Sequence, residues 1–534
     1  MSNDEIINAL EITAKLMELH NENPFKTKAY TNAAFKLGKL RYDFVGKSKE
    51  DIEGIEGIGK GISSKILELM LSGTTAELNE LLEKTPGGVV QMLGIKGLGP
   101  KKVRQLWREL QIESTGELLY ACNENRLVTL KGFGEKTQLQ VKQSVEFKLA
   151  NSNKFHYADI EIPVNAMLEN IRKNHSGLQI SATGQLLRKL EIIDKVEILV
   201  GSGSVIDLGN YNIGIPLSVD YIFCNPAEFG YKLIESSSTP EHLEQIGFVS
   251  LAGKEFNNEE QIYSALRLQF VAPELREGLG EVELAKHNRI PELINFSDLR
   301  GVLHNHTTYS DGVHTVKEMA DHCKSLGYEY LGICDHSRTA VYANGLSIER
   351  VIEQHHEIDQ LNEGYTHFKI LKGIESDILS DGSLDYPEEI LKTFDFVVAS
   401  IHSGLKMDEK KATSRLIKAI ENPYTNILGH PTGRLLLARN GYPIDHKKVI
   451  DSCAVNNVSI ELNAHPYRLD IDWRWIPYCL QKGVKISINP DAHHKAGLND
   501  MYYGVCVARK GMLNKENCLN AMSLEVFKSY IYKK

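Results

Sequence analysis

The sequence predicts a multidomain chain that runs from an all-helical N-terminal region, through a strand-rich middle, to a C-terminal barrel of alternating strands and helices. Three observations carry this. Gly-x-Gly turns recur three times between helical patterns in the first third. Short apolar runs alternate with polar, helix-compatible stretches in residues 296–534, and a His or a carboxylate closes most of those runs. A chain of 534 residues has room for about three to four domains.

In chain order, Ile6, Ile7, Leu10, Ile12, Leu16 and Met17 recur at helical spacing and predict a helix over 5–21. After Asn23-Pro24 a second, more basic helix is expected from Phe25 to about Leu40. Then comes Gly54-Ile55-Glu56-Gly57-Ile58-Gly59-Lys60-Gly61-Ile62, repeated as Leu93-Gly94-Ile95-Lys96-Gly97-Leu98-Gly99-Pro100-Lys101-Lys102 and, more weakly, as Leu130-Lys131-Gly132-Phe133-Gly134-Glu135-Lys136. A Gly-x-Gly turn between two helices permits φ > 0 and leaves backbone N–H groups open at the start of the second helix. Those donors grip a phosphate without reading a base. One copy is as easily a plain connector; three copies, with Lys60, Lys101, Lys102 and Lys136 at helix starts, are not. No apolar strand precedes the glycines, which argues against a dinucleotide-binding turn. These stretches resemble helix-hairpin-helix motifs, and the expected DNA contacts are Gly57, Gly59, Lys60, Gly97, Gly99, Lys101, Lys102, Gly132 and Gly134.

The C-terminal region opens with Leu303-His304-Asn305-His306-Thr307-Thr308-Tyr309-Ser310-Asp311-Gly312. Side chains at i and i+2 of a strand share a face, so His304 and His306 project together and Asp311 follows the strand end. A lone His-x-His is usually structural. Here Asp335-His336, Glu375, His402, His430, Asp491 and His493 each follow or close a further apolar run. Parallel strands closing into a barrel bring their C-terminal ends to one mouth. Imidazoles mixed with carboxylates suit Zn²⁺, Mn²⁺ or Fe²⁺, and nine candidate ligands imply two or three ions.

That series resembles the PHP (polymerase and histidinol phosphatase) phosphoesterases over residues 296–534. The resemblance implies a distorted seven-stranded βα barrel with Glu375 bridging two ions. It places His304, His306 and Asp491 on one ion, His402 and His430 on a second, and Asp311, His336 and His493 on a third, with Glu375, His304, His306 and Asp491 as the catalytic set.

The whole chain is similar to the bacterial and archaeal family X DNA polymerases. The resemblance implies an eight-kilodalton-like helical domain (1–85), a fingers-like domain (86–150), an α+β nucleotidyltransferase-like palm (151–230), a thumb and linker (231–295) and the PHP domain (296–534). Lys65 falls where animal relatives carry a Schiff-base lysine, although a solvated helix lysine is the plainer reading. The family places Gly-Ser ahead of an Asp-x-Asp strand, with a third aspartate on a later strand. Here the matching positions read Gly184-Gln185, Lys195, Glu197 and Asp220, and Glu235–His242 replaces the family's aromatic nucleotide-binding segment. Glu197 and Asp220 are thus a remnant, and a lysine at a cation site repels Mg²⁺. The expectation is a palm that folds but polymerises poorly or not at all.

Composition fits this picture. An apolar share of 42% and a charged share of 25% are those of a globular protein. No run approaches the ~20 apolar residues of a membrane span, the acidic start is unlike a signal peptide, and a cytoplasmic monomer is expected. Eight scattered cysteines without a C-x-x-C pair argue against a disulfide framework or a zinc ribbon. The net charge of −9 is uneven: residues 1–150 hold 21 Lys+Arg against 20 Asp+Glu, and the remainder 40 against 50. Net charge therefore does not exclude DNA.

The leading function is a metal-dependent DNA phosphoesterase, a 3′→5′ exonuclease in base-excision repair, extending to blocked 3′ ends and abasic sites on gapped or 3′-end DNA. Lys406 and Arg434 are candidate phosphate contacts, with His465 and Arg468 beside them. The alternative is an active repair polymerase with PHP proofreading; a DNA-binding scaffold and a small-molecule phosphatase rank behind it.

Overall fold

The computed structural model describes residues 1–40, 44–124, 126–151, 153–208 and 217–531. The chain divides into two compact units, Met1–Ser152 and Asn153–Lys534.

The first unit is helical. Its opening helix, Asn3–Leu19, begins two residues before the periodicity alone suggested, because Ser2 caps Glu5 N and the Glu5 carboxylate returns to Ser2 N in a capping box. Ser48, Thr75 and Ser114 cap later helices with their side chains. One continuous core runs from Ile6 and Leu10 through Ile66, Trp107 and Phe133 to Val145.

The hairpins repeat one geometry. Gly57, Gly97 and Gly132 have φ of +87°, +91° and +88°, the left-handed region that glycine enters freely. Two residues later Gly59, Gly99 and Gly134 are the N-caps of helices Lys60–Ser72, Pro100–Leu110 and Glu135–Ala150, in extended backbone. Between the glycines, Ile58, Leu98 and Phe133 are buried and anchor each turn to the core. The third copy is as regular as the other two.

The second unit holds the strand-rich middle and the barrel. In the middle, strand Val196–Gly201 lies antiparallel to Gln179–Thr183 and parallel to Val219–Cys224. Helix Tyr157–Asn174 buries Ile160, Val164, Leu168 and Ile171 in the same core as Ile198 and Val200 of that sheet. Residues 229–293 build a second small core around Ile234, Ile262, Tyr263 and Leu275.

The barrel has seven parallel strands in sequence order: Gly301–Val302, Tyr330–Ile333, Lys369–Asp377, Phe396–Ser400, Ile427–Leu428, Ser459–Asn463 and Ile486–Asn489. A parallel bridge from Asn305 to Ala492, with His306 N donating to Ala492 O, joins the first strand's extension to the last. The sheet is thereby nearly closed. Apart from the half-buried Lys369 and Lys372 of the third strand, the strands are buried, as sheets covered on both faces require. All eight cysteines are buried and free. Among the described residues no helix is long and apolar enough to cross a membrane.

Middle and barrel are keyed together by buried charge. Glu191 accepts from Trp473 Nε1 (3.2 Å) and Arg474 Nη1 (2.9 Å). The Lys510 ammonium, fully buried, reaches Glu277 Oε1 (2.7 Å), Arg188 O (2.9 Å) and Glu274 O (3.0 Å). Removing one partner of such a pair strands the other in low dielectric at a cost of about 3–5 kcal/mol, whereas an apolar replacement of both is nearly neutral. Arg188 Nε also pairs with Glu277 Oε1 (3.2 Å). Glu277→Ala is therefore expected to destabilise the second unit by about that amount, and Glu277→Leu with Lys510→Met and Arg188→Met to recover most of it. Denaturant unfolding followed by tryptophan fluorescence checks both.

Candidate metal centre

The strand ends place the candidate ligands. Past Val302 the chain continues as an extended segment rather than as strand, yet His304 and His306 are both fully buried, with ring centroids 5.2 Å apart. The turn after them doubles back: a Cβ on Gly312 would lie 2.6 Å from the His306 carbonyl, so only glycine lets Asp311 return to the pocket. Glu375 sits within the long third strand; His336, His402, His430, Asp491 and His493 follow the ends of the second, fourth, fifth and seventh strands.

The other eight residues gather around the buried Glu375 carboxylate, five histidines directly and Asp311, Asp491 and His493 against those histidines. His336 Nδ1 is 2.8 Å from its Oε2, and His430 Nε2 and His402 Nε2 are 3.0 and 3.2 Å from its Oε1. His304 Nε2 is 3.5 Å from Oε1, and His306 Nε2 3.7 Å from Oε2. Asp491 Oδ1 lies 2.9 Å from His306 Nε2 and 3.6 Å from His304 Nε2. Asp311 faces His493 Nε2 at 3.4 Å, His336 Nε2 at 3.6 Å and His306 Nδ1 at 3.8 Å. Three clusters emerge in which every residue offers one atom within 4.8 Å of the others: His304, His306 and Asp491; His336, Glu375 and His402; and His306, Asp311, His336 and His493.

The donor set fits divalent cations. Ligand atoms each about 2.1 Å from one ion at tetrahedral or octahedral angles stand about 3.0–3.4 Å apart, the range around which these contacts scatter. Several lone pairs have no other use: His304 Nε2, His306 Nδ1 and Glu375 Oε2 are buried without a hydrogen-bond partner. Among the protein groups alone, charge is balanced by proton sharing. Burial opposes charge on His304, but Glu461, Asp491 and Glu375 hold its pKa well above the usual value. Burial likewise opposes charge on His402 and His493, and neighbouring carboxylates raise them to about 10 and about 9. His306, buried and next to His493 and His336, falls to about 4. Against their burial, the imidazoles hold Glu375 well below the carboxylate range, as His304 and His306 do Asp491. Cations entering this cluster displace protons.

A second ring of carboxylates orients the first. Glu461 Oε1 accepts from His304 Nδ1 (2.7 Å) and its Oε2 from His430 N (2.8 Å). Asp377 Oδ1 accepts from His402 Nδ1 (2.5 Å). Asp335 ties down the turn after His306 through Thr307 N (2.7 Å) and Ser310 N (3.1 Å). Sequence reasoning passed over Glu461 and Asp377. A lone acid inside the apolar strand Ser459–Asn463 was the available signal, since a charge there must be partnered.

Other candidates divide. Arg434 donates to Arg468 O (3.0 Å), to Asp472 (2.7 Å) and to Leu469 O, so it braces the 468–472 loop rather than presenting a free phosphate fork. Arg468 on that loop approaches Asp491 Oδ2 at 3.9 Å. His465 Nδ1 accepts from Tyr467 N (3.2 Å), and Lys406 is exposed. Lys65 is paired with Glu68 (2.8 Å).

In the middle sheet, Glu197 and Asp220 are register partners on neighbouring strands, with Lys195 Nζ 2.7 Å from Glu197 Oε1 and 3.6 Å from Asp220 Oδ2. Gly184, with φ +60°, leaves room for Glu197: a Cβ there would meet Oε2 at 2.3 Å. Gln185 accepts from Asp194 N (3.0 Å). In the segment Glu235–His242, His242 is fully buried between Glu281 (2.6 Å) and Tyr263 (2.9 Å).

In the first unit the hairpin helices contrast with their neighbours. Helices starting at Lys60, Pro100 and Glu135 have no side-chain cap, and nothing lies within 4 Å of a Cβ built on Gly59, Gly99 or Gly134. Their first N–H groups, Lys101 onward in the helix that starts at Pro100, thus have no side-chain cap, as an anion site at a helix start requires.

Partners that fix a ligand's tautomer typically contribute 10–100-fold to metal affinity. Glu461→Gln is accordingly expected to weaken Mn²⁺ or Zn²⁺ binding by about 10–100-fold without unfolding the barrel, as read by calorimetric titration with circular dichroism as the control.

Comparison with known proteins agrees with this architecture. A helix-hairpin-helix domain model matches residues 1–75, a SAM-like helix-hairpin-helix tandem model residues 89–144, and a PHP domain model residues 303–465. The "DNA polymerase/3'-5' exonuclease PolX" of Bacillus subtilis is 33% identical over 99% of both chains. A "probable phosphatase" of Acetivibrio thermocellus is 32% identical over 36% of this chain and 78% of its own. Among solved structures, the zinc- and phosphate-bound histidinol phosphate phosphatase of Lactococcus lactis matches 40% of this chain and 93% of its own, at 18% identity and a TM-score of 0.33. The PHP domain and the relatives that share it mark a metal-dependent enzyme with hydrolase activity. Similarity to PolX along 99% of both chains, together with this chain's own helix-hairpin-helix and PHP matches, shows that the chain belongs to the bacterial family X DNA polymerases that carry a C-terminal PHP domain.

Proposed function

We propose that the chain is a metal-dependent DNA phosphoesterase, a 3′→5′ exonuclease of base-excision repair that also acts on blocked 3′ ends and abasic sites. One observation carries the reading: eight imidazole and carboxylate side chains gather around the buried Glu375 at a barrel mouth, in a chain that also holds three uncapped hairpin helix starts. In this proposal His304, His306 and Asp491 hold one ion, His402 and His430 with Glu375 a second, and Asp311, His336 and His493 a third. Mn²⁺, Zn²⁺ or Fe²⁺ fits the donors. Such cations supply Lewis acidity toward phosphoryl oxygens and acidify water. The chain's own part is orientation. Glu461 and Asp377 keep protons on Nδ1 of His304 and His402, so that each Nε2 lone pair faces the pocket. Arg468 adds positive charge beside Asp491, where a phosphate would enter. The hairpins grip the DNA backbone independently of sequence.

The palm is proposed to be silent. Its two carboxylates are bridged by Lys195, which supplies the positive charge that divalent cations would bring, so Mg²⁺ has little to bind. The second reading, an active repair polymerase with PHP proofreading, is favoured by the pairing of Glu197 with Asp220 on adjacent strands and by the full-length relative's name.

Replacing His304 and His306 by Ala should abolish shortening of a 5′-labelled gapped duplex while leaving its affinity within about twofold; retained cleavage would remove the barrel from the chemistry. On the same substrate with Mn²⁺ and all four dNTPs, the unaltered chain should shorten the primer and never extend it. Extension that disappears in Glu197→Ala would establish the polymerase reading instead.

A further inference from the structure

The segment between the second barrel strand and helix Ile348–Gly364 forms a hydrogen-bonded arch beside the metal centre. Leu346 N donates to His336 O (2.9 Å), Gly345 N to Ala340 O (3.0 Å), Thr339 N to Asp385 Oδ2 (2.6 Å) and Asn344 Nδ2 to Tyr309 O (3.1 Å). It is drawn so tight that a Cβ on Gly345 would lie 1.9 Å from Ser337 O. Yet at its tip the 3-10 turn Val341–Ala343 holds two large apolar side chains out to solvent, Val341 at 82% and Tyr342 at 72% exposed. The Tyr342 ring centroid is only 6.1 Å from that of His336 and 6.5 Å from that of His402.

The segment that follows His402 carries a group of lysines, interleaved with Asp408 and Glu409. Lys406 follows His402 by four residues, and Lys410 and Lys411 open helix Glu409–Ile420; all three are exposed, and none forms an ion pair with a described residue. Arg415 Nη1 ties that helix to the His402 loop through Ser403 O (2.8 Å). Lys410, Lys411 and Lys418 line a pocket of ≈ 360 Å³ with Asp381 and Asp408.

A small phosphomonoester uses neither an open aromatic face nor a row of lysines outside the ligand cluster. A single nucleic-acid strand uses both: its bases stack on exposed rings and its phosphates track positive charge. Because the arch is already ordered, little conformational entropy is lost when a base settles on it. Building on the phosphoesterase reading, we propose that Tyr342 is the stacking platform for a nucleobase at a single-stranded 3′ end, whose upstream phosphates pass along Lys406, Lys410 and Lys411. The rim thus selects single-stranded nucleic acid over small phosphoesters.

The test uses the full chain with Mn²⁺ and a pentanucleotide of phosphorothioate linkages carrying 2-aminopurine at its 3′ end. Stacking quenches that fluorophore. Quenching is expected with the unaltered chain and with Tyr342→Phe, and lost in Tyr342→Ala. With a cleavable single-stranded oligonucleotide, Tyr342→Ala should raise KM by about 5- to 150-fold, outpacing any change in KM for bis(p-nitrophenyl) phosphate at least fivefold. Lys410→Glu with Lys411→Glu should flatten the dependence of oligonucleotide KM on salt. No quenching with the unaltered chain, quenching that survives Tyr342→Ala, or parallel losses on both substrates would overturn the proposal. The last would mean that Tyr342 only props the metal centre. If neither substrate is hydrolysed, the phosphoesterase reading fails while the quenching still decides the stacking.

Discussion

A buried carboxylate among imidazoles is the constraint on which the second unit is built. Glu375 is almost fully shielded from water, and an isolated carboxylate in that position would be prohibitively costly. Five histidine rings within 2.8–3.7 Å of its oxygens make it tolerable, and they come from four different strand ends. Only a barrel whose C-terminal ends converge can deliver them. The Asn305–Ala492 bridge then has a chemical consequence as well as a topological one, because it brings His306 beside Asp491 and, through Val313 N on His493 O, sets the Asp311 turn against His493.

The two carboxylate sites of this unit solve the charge problem differently. At the barrel mouth, acids and imidazoles face one another with lone pairs to spare, an arrangement that cations complete. In the middle sheet, Lys195 stands between Glu197 and Asp220 and completes the charge balance from within the chain. The sheet, its register and its covering helix persist around that lysine. The fold of this sheet therefore does not rest on these three charged side chains, since strand pairing and core burial do not depend on which side chains face solvent at a strand's end.

The first unit shows why repetition reads well in a sequence. The positive φ at Gly57, Gly97 and Gly132 and the uncapped helix starts two residues later follow from the Gly-x-Gly spacing alone, so even the weaker third copy folds like the others. The barrel was legible for a similar reason: short apolar runs punctuated by His and acids mark strand ends locally. Arg434 was offered as a candidate phosphate contact because a position after His430 says nothing about which backbone carbonyls stand opposite. They belong to residues 468 and 469, and through them Arg434 braces that loop.

By itself the sequence determined the helical turns, the strand–helix alternation and the nine imidazole and carboxylate residues that the barrel mouth brings together, because each of these depends on neighbours within a few residues. Which nitrogen faces which oxygen was decided by the tertiary structure. Glu461 reaches His304 across 157 positions and Asp377 reaches His402 across 25. The exposure of Tyr342 at the rim, and the capture of Glu197 and Asp220 by Lys195, are likewise outcomes of packing. Contacts of that kind leave no periodic trace in the chain, since the distances that create them exist only once the strands have closed.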